Sequence, residues 1–117
     1  MGATYIEGKL SGPTGAEATV RFLVDSGATY SLVPDPTWRS LELETMRTVA
    51  FVLADGTQIE RQVGECMIEL PQGRGTSPVI LGEPGDEPLP GSVTLEILGL
   101  VLNPFTRTLH PMRMLLA

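Results

Sequence analysis

Polar and apolar positions alternate along most of this chain, and the period is closer to two than to 3.6. Residues 3–10 alternate and carry Thr4, Tyr5 and Ile6, which predicts a strand. The cluster Ser11-Gly12-Pro13-Thr14-Gly15 ends it, and residues 17–24 return as a second strand, a hairpin partner for the first. That second alternation fades into the continuous apolar run Phe22-Leu23-Val24, as happens where a strand enters a core. Residues 30–34 predict a further short strand. Asp35-Pro36-Thr37-Trp38 predicts a helix of a turn or two, with Asp35 as cap and proline in the first helical position. Residues 41–53 and 58–70 are strand-like on either side of Ala54-Asp55-Gly56-Thr57, and Asp-Gly between two such runs predicts a hairpin. Residues 71–77 are expected as a loop, 78–82 as a strand, and the acidic, proline-rich 83–88 as an exposed connection. Val93, Leu95, Ile97 and Leu98 predict a helix over 92–98, with Ser92 as cap and Gly99 as stop. Residues 100–104 and 106–116 close the chain as strands with a turn at Asn103-Pro104.

The pattern therefore predicts an all-β domain over residues 1–117 with one short C-terminal helix. Composition agrees: 13 glycines and 10 prolines in 117 residues favour short strands and tight turns. The net charge of −6, with no basic stripe, argues against nonspecific nucleic-acid binding. The single Cys66 excludes an internal disulfide and is expected as a small buried apolar residue, since the one histidine, His110, lies far along the chain. Three carboxylates fall within 83–88, but their spacing matches no calcium loop, so neither a metal nor another cofactor is expected. No leader-like segment or apolar run of membrane-spanning length is visible, so the expected location is cytoplasmic.

The chemistry concentrates at Phe22-Leu23-Val24-Asp25-Ser26-Gly27-Ala28-Thr29. An apolar strand delivers Asp25 into a partly dry setting, where a carboxylate must be paired, hydrogen-bonded or protonated. Gly27 lets the backbone turn and lets a partner or substrate approach closely.

The run Leu23-Val24-Asp25-Ser26-Gly27-Ala28 resembles the active-site signature of aspartic proteases of the retroviral, or retropepsin-like, branch. Leu89-Pro90-Gly91, the helix 92–98 and Gly99-Leu100-Val101-Leu102-Asn103-Pro104 resemble that family's segment returning beneath the active site, as in small prokaryotic-type aspartyl protease domains. Ile80-Leu81-Gly82 is the alternative apolar-apolar-glycine element. Ser26 stands where retroviral enzymes usually carry threonine, and it keeps the hydroxyl. The resemblance implies a closed β-barrel, the half-unit of acid proteases, with the 55–56 hairpin as a flap over bound peptide. It implies Asp25, Ser26 and Gly27 as the catalytic group. Leu23, Ala28, Val52, Asp55, Gly56 and Ile80 would contact an extended peptide substrate.

Aspartic proteolysis needs two carboxylates sharing one proton. Asp35, Asp55 and Asp86 lack the apolar strand that precedes Asp25, so the chain supplies one half of such a pair. An enzyme of this kind is then a homodimer with Asp25 of each copy on a two-fold axis, its terminal strands at the interface. The alternatives are a peptide-binding or scaffold domain that keeps the fold without turnover, and an unrelated β-barrel whose Asp-Ser-Gly is a turn.

Overall fold

A computed structural model describes residues 4–24 and 27–116. Its eight strands are β1 (Tyr5–Ser11), β2 (Glu17–Leu23), β3 (Ser31–Val33), β4 (Arg47–Val52), β5 (Gln58–Leu70), β6 (Gly73–Leu81), β7 (Leu100–Asn103) and β8 (Thr108–Pro111). Two short helices accompany them, α1 (Thr37–Ser40) and α2 (Ser92–Ile97). Six strands form one sheet in the order β2-β1-β5-β6-β3, with β4 on β5, and β7 and β8 form a separate pair. Among the described residues this order has two free ends, β2 and β3. The expected closed barrel is thus corrected to an open sheet. The backbone of β2 at Leu23 instead donates to the Pro88 carbonyl at 2.9 Å, so a connecting segment takes up its last donor.

The long β5 is the spine. Its first half pairs with β4 (Val52↔Gln58 to Arg47↔Val63) and projects as the expected hairpin. Its second half lies between β1 (Lys9↔Glu69) and β6 (Leu70↔Gly73 to Val63↔Ile80). Alternation sends Leu10, Val20, Phe22, Ile68, Leu70, Val79 and Leu81 to one face, where they join Val33, Leu41, Leu43, Leu95 and Leu100 in the core. Full burial of a side chain such as Phe22 contributes about 1.5–3 kcal/mol.

Several elements differ from expectation for physical reasons. Residues 73–77 are strand rather than loop: Gly75 is small because Ile97 and Leu98 pack over it, where a Cβ would meet Ile97 Cγ2 at 3.1 Å. Only 47–52 of the expected strand 41–53 is extended, because Leu41 and Leu43 reach the core from a turn with Glu42 at φ 57°. Helix α1 begins at Thr37 with Pro36 in the cap position. Asp35 does not cap it, and accepts from Arg39 Nε at 2.8 Å instead. In α2 the cap position belongs to Gly91, not Ser92, while Gly99 ends the helix at φ 70° as expected.

A buried chain of hydroxyls fastens α2 to the sheet. Ser31 Oγ accepts from Gly91 N at 2.8 Å and lies 2.5 Å from Thr94 Oγ1, which lies 2.7 Å from Ser77 Oγ. Ser77 Oγ donates to the Pro78 carbonyl at 3.1 Å. One proton order makes every contact a hydrogen bond: Ser31 donates to Thr94, Thr94 to Ser77, and Ser77 to the backbone. Thr94→Val keeps the shape and breaks this chain at its middle, stranding buried hydroxyls on β3 and β6. Urea unfolding should show a loss of about 1–3 kcal/mol, part of it recovered when Ser31 and Ser77 are also made alanine.

Candidate active site

Residues 88–93 wrap the segment that contains the Asp-Ser-Gly motif. Asp25 and Ser26 themselves lie outside the described residues; their neighbours on both sides are held. Before them, Leu23 N donates to Pro88 O, and Val24 N to Thr4 O at 2.8 Å. After them, Ala28 O accepts from Ser92 N at 2.9 Å and Thr29 O accepts from Val93 N at 3.0 Å. These are two of the donors that open α2 and have no partner within it. Leu32 and Leu89 then exchange both backbone bonds, at 2.9 and 3.2 Å. Leu89-Pro90-Gly91 therefore lies against residues 28–32 on one side, while Ile80-Leu81-Gly82 flanks Leu32 and Val33 of β3 on the other. Gly91 is required there: a Cβ would fall 2.3 Å from Tyr30 C, 2.4 Å from Ser31 N and 2.5 Å from Thr29 O.

The remaining site candidates fall in three places. Gly27 is exposed in the turn, and Ala28 lines a cavity of about 180 Å³ with Ser92, Leu95 and Glu96 of α2, Leu100–Leu102 and Met112. Leu23 is half-buried at the end of β2. Ile80 lies in a row across four strands, Leu32↔Ile80↔Val63↔Arg47, on the sheet face away from the core cluster. Val52, Asp55 and Gly56 are exposed at the far end of the hairpin. There Gly56, at φ 88°, donates to the Leu53 carbonyl at 2.9 Å, and the Asp55 carboxylate accepts from Thr57 N at 2.9 Å. Hydrogen bonds from Thr57, its side chain first and its backbone second, hold the Asp55 carboxyl below its ordinary value.

Strand register divides the hairpin into two faces. Arg47, Val49 and Phe51 share one face with their partners Val63, Arg61 and Ile59, while Thr48, Ala50 and Val52 share the other with Gln62, Glu60 and Gln58. The first face meets the motif segment. The Phe51 ring stands edge-on to Tyr30 at 5.8 Å, and Arg47 Nη2 donates to Tyr30 Oη at 2.5 Å. Tyr30, Arg47 and Phe51 are absent from the sequence-based candidates. Parity groups Arg47 and Phe51 on one face of the hairpin, but nothing in the sequence tells that this face is the one that meets Tyr30.

Other chemistry is confined. Asp35 pairs with Arg39, and Asp86 accepts from Glu83 N at 2.7 Å within the exposed 83–88 connection. Among the described residues, no group of three or more His, Cys, Asp and Glu side chains could hold a metal ion. Cys66 is buried, as expected, and burial first and the Glu65 charge second push its thiol up to about 12.

A sequence model of the aspartyl protease family matches residues 6–72, and the chain belongs to that family. None of the curated proteins compared with the chain matches it. Among the described residues, no helix is long and apolar enough to cross a membrane.

Gly91→Ala should cost about 3 kcal/mol or more in urea unfolding, because the atoms it meets are backbone and cannot rotate away. Gly15→Ala, where the space is open and only φ 91° opposes a side chain, should cost about 1 kcal/mol. Equal losses would contradict the close-approach argument. Native Cys66 should alkylate at pH 8 roughly a thousandfold more slowly than the urea-unfolded thiol, measured by mass spectrometry over time.

Proposed function

We propose that the chain is a homodimeric aspartic endopeptidase in which Asp25 of each copy shares one proton and activates water against a peptide bond. The observation that carries this reading is the family match, which spans Asp25-Ser26-Gly27. One carboxylate takes a proton from the attacking water while the other, protonated, polarises the scissile carbonyl. Two carboxylates about 3 Å apart cannot both ionise, so their apparent pKa values belong to the pair. Ser26 braces the pair across the two-fold axis, and Gly27 leaves room for substrate.

The need for a second copy is supported by what the other aspartates do. Asp35 is paired with Arg39, Asp55 caps the hairpin turn, and Asp86 closes its own loop. Each holds local structure and none is spare. The exposed apolar residues Val101, Met114, Leu115 and Leu116 give β7 and the tail a surface suited to a second copy. The β4–β5 hairpin serves as the flap. Its exposed, glycine-containing tip can move while Arg47 at the base and Phe51, one pair short of the end of the ladder, hold its strands against Tyr30. Substrate lies extended between the hairpin and the pair, hydrogen-bonded as an added strand.

Asp25→Asn should lower peptide cleavage by roughly 10³-fold or more while sedimentation still shows the parent's assembly. The parent's pH–rate profile should be bell-shaped, because one carboxyl must be ionised and the other protonated. Retained cleavage in Asp25→Asn would contradict the mechanism.

A further inference from the structure

The face of the hairpin turned toward the motif segment is apolar at Val49, Phe51, Ile59 and Val63, yet two arginines stand among them: Arg47, and Arg61, which donates to the Glu60 carbonyl at 3.0 Å. The Arg47 guanidinium lies 5.9 Å from the Tyr30 ring and donates a single hydrogen bond, to Tyr30 Oη. The ion pairs among the described residues are Lys9–Glu17 and Arg39–Asp35, and Arg47 takes part in neither. An arginine has five N–H donors in a fixed fork, so most of this fork has no partner among the described residues. The Tyr30 hydroxyl accepts from Arg47 and keeps its own proton to give away. A cation in a protein of net charge −6 is thus held beside a hydroxyl donor, three residues beyond Gly27.

We infer that Arg47 and Tyr30 form a receptor for a carboxylate, so that the peptide taken by this site carries Asp or Glu beside an otherwise apolar recognition sequence. The inference rests on the protease reading for its location in the cleft, and it deepens that reading by naming the substrate class. The chemistry is direct. A carboxylate accepts two parallel N–H bonds from a guanidinium fork, and the phenol proton supplies a third donor to the same group. Val49, Phe51 and Ile80 flank that position with apolar surface, which favours aliphatic or aromatic side chains on the neighbouring residues of the peptide. Arg47 and Tyr30 are specificity-determining residues; neither takes part in the chemistry at the scissile bond.

Two pools of short peptides test this. Both have apolar central residues, one with Glu at the flanking positions and the other with Gln. Binding is measured to full-length Asp25→Asn protein, and cleavage to the parent. The Glu pool should bind roughly fivefold more tightly than the Gln pool at low salt, and the preference should shrink as salt is raised. Arg47→Gln should abolish the preference, Tyr30→Phe should reduce it, Arg47→Lys should restore part of it, and Arg61→Gln, which changes the other arginine of this face, should leave it standing. Arg47→Gln alters an exposed side chain, and circular dichroism checks that the fold is kept. Equal binding of the two pools, or a preference that survives Arg47→Gln, overturns the inference. If the Asp25→Asn protein shows the preference but the parent cleaves neither pool, the receptor stands and the protease reading falls.

Discussion

The backbone of Gly91 passes so close to residues 29–31 that no side chain fits between them, and the rest of the site depends on that contact. It lets Pro88, Leu89, Ser92 and Val93 bond to both ends of the motif segment: Leu23 before it, and Ala28, Thr29 and Leu32 after it. The first turn of α2 would otherwise leave backbone donors unpaired. Here two of them are satisfied by the carbonyls of Ala28 and Thr29, so helix and loop complete each other. The hydroxyl chain from Ser31 through Thr94 to Ser77 fastens the same helix to β3 and β6 from the buried side. The mechanism proposed above depends on the separation of two carboxylates and so requires the motif segment to be held firmly. Backbone bonds on either side of the motif and a buried polar anchor hold the described residues that flank it.

The two faces of the sheet divide the work. The core cluster occupies one face and gives the protein its stability. The other carries Leu32, Ile80 and Val63 in a single row that ends on Arg47. Val63 is almost fully buried yet stands outside the core cluster. The hairpin grows from the same long β5 that crosses the core, so its base inherits the rigidity of the sheet. Its tip beyond Phe51 is free of such contacts and exposed. A rigid base and a loose tip are what the flap role proposed for this hairpin requires.

The sequence made some of this legible and hid the rest. Asp55-Gly56 announced the hairpin because a tight turn ending on a residue of positive φ, here Gly56 at 88°, has few chemical solutions. The return of the chain through Leu89-Pro90-Gly91 was visible through the helix that follows it. Local reading failed where a residue's reason was tertiary. Gly73 and Gly75 looked like loop, but Gly75 is small because Ile97 and Leu98 lie over it. Ser92 looked like the cap, but α2 starts from the carbonyls of Ala28 and Thr29, which lie more than sixty residues earlier. The family resemblance named Val52 as a substrate contact, whereas register sends Phe51 to the face that meets Tyr30. A period of two tells a reader that two faces exist; only pairing tells which one meets the site.

The central claim is that one chain carries half of an active site, and subunit mixing tests it most directly. Parent protein is equilibrated with an equal amount of Asp25→Asn protein, and peptide cleavage is followed. Random pairing leaves parent–parent dimers holding about half of the parent chains, so activity should fall to about half, and further as the variant is added in excess. Activity that stays unchanged at every ratio would mean that each chain works alone, and would contradict the account.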